Sequence, residues 1–485
     1  MSLNPALLAS SCPSHKVWEY FQLICSIPHP SYHEEALAQT IVNLLEGKGL
    51  RVWRDDVGNV LACKPATEGM EGRPGVILQG HIDMVPQKCP DSSHDFQRDP
   101  ISLLQQDGWV MADGTTLGAD NGIGVAAALA VLMSDDMVHG PLEALFTINE
   151  ESGMEGAHGL QPGALNGDYL LNLDTEEEGE LYVGCAGGKD VNAVVSLQLQ
   201  PAKAGQVAYS LSLDGLRGGH SGLDINDQRG NAALLLTALL AKLPASCELA
   251  SVDSGSVRNA IPRRAKAVLT VAEADITVLK ALVAGFRDEC CARFNHPGES
   301  FSLQLEGCEV PEAVLSSEQK KQLLRTLVAL PNGPLEMCQG APERVETSSN
   351  MGVIKTQQDQ IDINILVRSF DDGSRDKTCE MIAAHLSPVA AVVCENEYPG
   401  WKPDLQSALL KQMEAIHLAE LGEPAKIEMI HAGLECGLLG AKYPNWQMIS
   451  FGPNITGAHS PQERVEVSTV DTMWRLLVAT LASLN

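Results

Sequence analysis

The sequence predicts an α/β protein whose layered domain, built on a largely parallel central sheet, is interrupted by an inserted α+β domain. Three observations predict it. From about residue 17 to residue 186, short apolar runs alternate with amphipathic stretches, the pattern of strands joined by helical crossovers. Beyond CAGGKD at 185–190 the apolar runs give way to apolar–polar alternation, which suits strands with one solvated face. After EYPGWKPD at 397–404 the first texture returns. The outer domain is therefore read as 1–186 plus 396–485 and the insert as 187–395, itself of ordinary domain size.

The elements follow in order. VWEYFQLICSI and HEEALAQTIVNLLEGKG read as helices, the second closing on glycine. VILQGHIDMV, EALFTI and YLLNLD read as buried strands, with VAAALAVLM as a helix between the first two. In the insert, YSLSLDGL, KAVLTV, FSLQLEG and QIDINILV alternate as half-buried strands, and NAALLLTALLAKL, DITVLKALVAGFRDECCARF and KKQLLRTLVAL are the helices between them. The last portion adds helix ALLKQMEAIHLAEL, strands IEMI and WQMISFGP, and the closing helix TVDTMWRLLVATLASL.

Composition narrows the function. The chain has 485 residues, 44% of them hydrophobic, and a net charge of −28; its mean hydropathy is −0.03. A polyanion repels phosphate backbones and anionic lipid, so neither nucleic acid nor a membrane surface is an expected partner. The densest acidic cluster, EEEGE at 176–180, reads as a solvated face. No basic start leads into a long apolar run, and the run after Gly124 is about half a membrane span. Thirteen cysteines without a CxxC pair suit reduced thiols in the cytoplasm.

Polar groups fall where an open α/β sheet presents its ligands, beyond the carboxyl ends of strands. VILQG ends in His81 with Asp83 two residues on; LFTIN leads to Glu150 and Glu151; YLLNL ends in Asp174; MISFGP leads into a loop carrying His459. In LGADNGIG, residues 117–124, Asp120 stands among glycines before an apolar helix. One reading makes Asp120 or Asn121 a helix N-cap. HxD pairs, adjacent glutamates and loop histidines are each common in surfaces and cores. Five such positions in one domain are hard to assign to solvation, because unpaired carboxylates beside an apolar core are costly. A divalent cation removes that cost, and an oxygen and imidazole donor set without thiolate suits zinc, manganese or cobalt. The count suggests two ions. If Asp120 bridges, His81, Asp120 and Asp174 serve one, and Asp120, Glu151 and His459 serve the other. Glu150 is then free to act as general base, and Asp83 to orient His81.

HIDMV, TLGADNGIG, NEESGMEGAHGL, LLNLD and TGAHSP resemble the metal-binding segments of the di-zinc metallopeptidases that include carboxypeptidase G, carnosinase and the bacterial dipeptidases. IPHPSYHEE, LRGGHSG, VRNAIPR and IHAGLECGLL extend the resemblance, over roughly 17–480, to the aminoacyl-histidine dipeptidase branch. It implies a di-zinc aminopeptidase/carboxypeptidase-like catalytic domain, with the insert acting as a lid. It implies two bound zinc ions with Asp120 between them, a cis peptide after Asp120, and hydrolysis of small peptides, among them Xaa-His and β-alanyl-histidine. It places His220 as oxyanion donor, Asn259 and Arg368 on the substrate carboxylate, Gly433 where backbone approaches the substrate, and Glu435 as receptor for a free amine. A salt-bridged Arg368 and a turn-forming His220 are the structural alternatives. The resemblance leaves a homodimer open. Two rivals remain: an N-acyl amino-acid amidohydrolase on the same core, and a metal-bearing interaction module without catalysis.

Overall fold

Leucine- and β-branched-rich runs that are buried along their whole length, VILQGH and LEALFT among them, become inner strands of a parallel sheet, since only a strand covered on both faces needs no polar alternation. The computed structural model describes residues 3–294, 300–339 and 341–484. The chain divides into two units: the first comprises residues up to Gly184, Trp401–Met429 and Leu434 onward, the second Cys185–Gly400 and Ile430–Gly433.

In the first unit an eight-stranded sheet runs Arg51–Arg54, Val60–Lys64, Leu142–Thr147, Val76–His81, Tyr169–Asn172, Gln447–Ser450, Glu180–Cys185, Lys426–Ile430. Four neighbouring inner strands, from Leu142–Thr147 to Gln447–Ser450, pair in parallel. The strands outside them on the Val60–Lys64 side pair antiparallel. Helix Ala119–Met133 is apolar on nearly every face and buried accordingly. The antiparallel hairpin of Arg51–Arg54 and Val60–Lys64 is absent from the sequence reading, because four residues of RVWR carry too little apolar pattern to read.

The second unit is built on a mainly antiparallel sheet, ordered Ser302–Cys308, Gln206–Asp214, Ala265–Ala272, Glu248–Ser254, Ala341–Thr356, Gln360–Ser369, Gly187–Ser196, Ala391–Tyr398. Helices Ala232–Lys242, Ile276–Arg293 and Ser317–Val328 contribute to its apolar core. The tetrapeptide 430–433, which the sequence reading leaves in the outer domain, groups with this unit. Its contacts explain why: the Ala186 N–H donates to the Ile430 carbonyl at 3.0 Å, and His431 Nε2 meets Ser348 Oγ at 2.8 Å.

Candidate metal centre

Parallel strands carry their chain ends to one edge, and the first unit collects its charged groups there. His81 is the last residue of its strand and 1% exposed. Its Nδ1 lies 3.1 Å from the Asp83 carbonyl and 3.4 Å from Asp83 Oδ1. An N–H placed there leaves Nε2 with its lone pair free. Nε2 points at Asp120 Oδ1, 3.2 Å away, and Asp174 Oδ1, 3.3 Å away. The other Asp120 oxygen, Oδ2, lies 3.3 Å from His459 Nε2, which also meets Glu151 Oε2 at 2.9 Å. One carboxylate thus faces two imidazoles with two oxygens.

The Asp120 side chain does not serve as a helix cap: its oxygens face His81 and His459 rather than a backbone N–H, and Asn121 Oδ1 is buried without a hydrogen bond. Asp120 (φ −82°, ψ 106°) and Asn121 stand at a kink that precedes the regular part of the helix. Gly118 takes φ +71°, which favours glycine. The Asp120–Asn121 peptide is cis. Asn121 turns inward, its Nδ2 donating to the Leu173 carbonyl at 2.5 Å. A Cβ on Gly80 would come within 2.1 Å of Asn121 Oδ1, so the strand that carries His81 needs glycine at that close approach.

Among the described residues, atoms able to hold a metal ion converge in three groups: His81, Asp120 and Asp174; Asp120, Glu151 and His459; and His81, Glu150 and Glu151. The first two are the triads read from the sequence. The third puts Glu150 beside them. Asp83 does more than orient His81: Oδ1 accepts the Glu150 N–H at 2.9 Å, Oδ2 the Glu151 N–H at 3.2 Å, and Ser31 Oγ donates to Oδ2 at 2.7 Å. Ser31 is a contact the sequence reading missed; a serine in IPHPSYHEE carries no signal of its own.

The electrostatics are those of crowded carboxylates. Burial, with Asp120 and Glu151 nearby, pushes Asp174 up to about 7 against the pull of His81. Burial likewise raises Glu150 well above the usual carboxylate range, with Asp174, Glu435 and Glu151 adding to it and His81 opposing. Burial raises Asp120 too, but hydrogen bonds from His459 and His81 outweigh it and hold Asp120 low. Hydrogen bonds to Asp120 and Glu151 carry His459 up to about 11. Glu151 Oε1 and Asp174 Oδ1 are buried without a hydrogen bond. A hard or borderline divalent cation satisfies both oxygens and takes the place of the protons that the carboxylates hold on the two imidazoles, so the residues fit such an ion.

A model of peptidase family M20/M25/M40 matches residues 77–483. The chain belongs to this family. Among members, a cytosol non-specific dipeptidase of Escherichia coli is 44% identical over 469 residues, 96% of each chain. The crystal structure of aminoacylhistidine dipeptidase from Vibrio alginolyticus is 42% identical, covers 99% of this chain and 98% of its own, and superposes with a TM-score of 0.91. Aminopeptidase PepT from Bacillus cereus, 15% identical with a TM-score of 0.57 over 97% and 98% of the two chains, shares the fold.

The family's two-domain α/β architecture frames a second polar cluster, confined to the second unit. Arg368 is 4% exposed. It donates to Tyr398 Oη at 2.7 Å and Ser221 Oγ at 3.3 Å, and its Nη2 lies 3.3 Å from His220 Nε2. None of the salt bridges among the described residues includes it, so the salt-bridge alternative fails. His220 Nδ1 accepts the N–H groups of Gly222 and Leu223 at 3.2 and 3.0 Å, which leaves the proton of a neutral ring on Nε2. Burial, then the charge of Arg368, pulls His220 down to about 4. His220 Nε2–H and Arg368 Nη2–H therefore present donors side by side. Asn259 is next in register, since His220 pairs with Ala260 and the Asn259 carbonyl accepts the Ser221 N–H at 2.8 Å.

Gly433 lies in the 430–433 segment of the same unit. Glu435 departs from its expected role. It is 0% exposed, and its Oε2 already accepts Gln79 Nε2 at 2.6 Å and Thr147 Oγ1 at 2.7 Å. Burial holds it up at about 7. A carboxyl so enclosed is not an open receptor for an amine.

Proposed function

We propose that this chain is a metallodipeptidase that hydrolyses unblocked dipeptides, Xaa-His and β-alanyl-histidine among them, in the cytosol. The observation that carries the reading is Asp120, which turns one oxygen to each of two histidine–carboxylate pairs while Glu150 stands beside them. The relatives named above as dipeptidases support the substrate class.

His81, Asp120 and Asp174 would hold one ion and Asp120, Glu151 and His459 the other, with zinc favoured and manganese or cobalt accepting the same donors. When bound, such ions supply Lewis acidity toward a carbonyl oxygen and toward water. Glu150 takes a proton on its carboxylate from the attacking water and passes it to the leaving amine nitrogen. Its raised affinity for a proton suits that return step. Asp83 fixes both His81 and the Glu150 backbone. His220 donates Nε2–H to the developing oxyanion. Arg368 and Asn259 grip the C-terminal carboxylate; the planar guanidinium fork suits it. Gly433 lets substrate approach the backbone.

The burial of Glu435 favours weighing a second reading, an N-acyl amino-acid amidohydrolase, because it removes the residue expected to meet a free amine. One experiment separates them: metal-reconstituted protein assayed on Ala-His, β-alanyl-histidine, their N-acetyl forms and a tripeptide. A dipeptidase cleaves the free dipeptides far faster than the rest. Preference for the N-acetyl forms sinks the reading.

A further inference from the structure

Of the five proposed ligands, His459 has the least support of its own. It sits on a loop, its side chain is 55% exposed, and its φ is +59°, a conformation a residue with a Cβ keeps only where its surroundings impose it. The loop is closed by a turn in which the Ser460 N–H donates to the Gly457 carbonyl at 3.2 Å and the Glu463 N–H to the Ser460 carbonyl at 3.0 Å. That turn sets Glu463 at a fixed place relative to His459.

Glu463 is buried. Its Oε2 accepts the N–H groups of Leu117 and Gly118 at 2.8 and 3.1 Å, and its Oε1 those of Ala119 and Asp120 at 2.7 and 3.3 Å. Four consecutive amides, turned inward through the left-handed Gly118, converge on one carboxylate, as in an anion-binding nest. Charge-assisted hydrogen bonds of this kind are the strong ones. Among the described residues, the other loop residue that reaches this segment by a hydrogen bond is His459 itself, which touches the Asp120 side chain.

We infer that Glu463 is the positioning residue that ties the His459 loop to the Asp120 loop, and so fixes the distance between two ligands of the same ion. The inference rests on the two-ion reading above. It also predicts an asymmetry. His81 is oriented by Asp83, and the Asp120 segment retains the anchor of Asn121 on Leu173, so the His81–Asp120–Asp174 triad keeps its own supports. The exposed His459 of the other triad sits on a loop whose flanking strands pair with each other and with Trp109–Ala112, and Glu463 is the residue of that loop whose side chain binds the 117–120 amides. In Glu463→Gln one acceptor oxygen becomes an NH2 group facing two backbone N–H donors, which opens the tie with little change of volume.

The test is a titration of chelator-stripped wild type and E463Q with Zn2+, followed by calorimetry and metal analysis, with circular dichroism to compare folding. The wild type should bind two equivalents. E463Q should bind the first unchanged and the second about 10–100-fold more weakly, the usual effect of losing a residue that orients a ligand. Two equivalents at wild-type affinity, or equal weakening of both, overturns the inference and leaves the two-ion reading intact. Fewer than two equivalents in the wild type overturns the two-ion reading, and the inference with it. Should E463Q not fold, amide exchange on the stripped wild type decides: protected amides at 117–120 support the tie, and freely exchanging ones refute it.

Discussion

At the strand ends of the first unit, Asp120, Glu150, Glu151 and Asp174 gather around two histidines. At the end of strand Gln360–Ser369 in the second, Arg368 is buried among a phenol, a hydroxyl and a neutral imidazole. The first cluster has carboxylate oxygens in excess; the second has a cation with no ion-pair partner among the described residues. Burying an uncompensated charge is costly, and proteins seldom retain that cost twice without use. The two clusters ask for ligands of opposite sign, a divalent cation and a carboxylate.

The comparison can be broken at its strongest point first. Glu150→Gln removes a proton carrier and no proposed ligand, so turnover should fall by about 10²–10⁴-fold while two equivalents of metal remain by mass spectrometry. Near-native turnover would end the assignment of Glu150. Asp120→Ala should abolish activity and release at least one ion. A residue that merely capped a helix would cost about 0.5–2 kcal/mol of stability and leave the metal content alone.

The second cluster is tested by Arg368→Ala, which should lower kcat/KM for free dipeptides by about 10–100-fold, the worth of hydrogen bonds to a charged group. The same change should erase discrimination against amidated dipeptides without altering metal content. Equal loss on acid and amide would show that Arg368 does not read the carboxylate.

The smallest expected effect is a difference in pH dependence. Burial raises Asp174 and Glu435 to about 7 and Glu176 to about 8, so the stripped folded protein holds protons that the unfolded chain has lost. Its stability should therefore fall as pH rises from about 5 through 8. His459, raised to about 11, acts in the same direction above its unfolded value. The second unit has the opposite sign: His220 and His431, lowered to about 4 and about 3, lose stability as pH falls below about 6.5. The gain in Tm on adding Zn2+ should accordingly be larger at pH 8 than at pH 5.5. A gain that does not change with pH would refute the carboxylate account.

Legibility followed chemistry. His81, Asp120, Glu151, Asp174 and His459 could be picked out because carboxylates and imidazoles beside apolar strands are conspicuous, and the inner strands because unbroken apolar runs have few other homes. The residues that contact this cluster from outside it were not legible. Glu463 stands in QERVE, where neither a hydrophobic period nor a strand end marks it, and only the fold brings it against four amides. Strand Ala341–Thr356 was missed for a related reason. Its Thr347, Ser348, Ser349 and Asn350 are all buried, and they are satisfied by partners far away in sequence, such as Ser369, His431, the Pro331 carbonyl and the Ala260 carbonyl. Polar residues buried on one another leave no hydrophobic period to detect.

The grouping of Ile430–Gly433 with the second unit bears on how such a chain can be rebuilt. An insert joined at two points is a cassette, and evolution or an engineer can exchange it by recombination at its ends. Here the backbone passes between units at four points. Deleting 185–400 would remove the Ala186 amide that binds Ile430 and the Ser348 hydroxyl that binds His431, leaving a stranded tetrapeptide in what remains. A swap of the insert between relatives is expected to succeed only when the matching 430–433 segment travels with it.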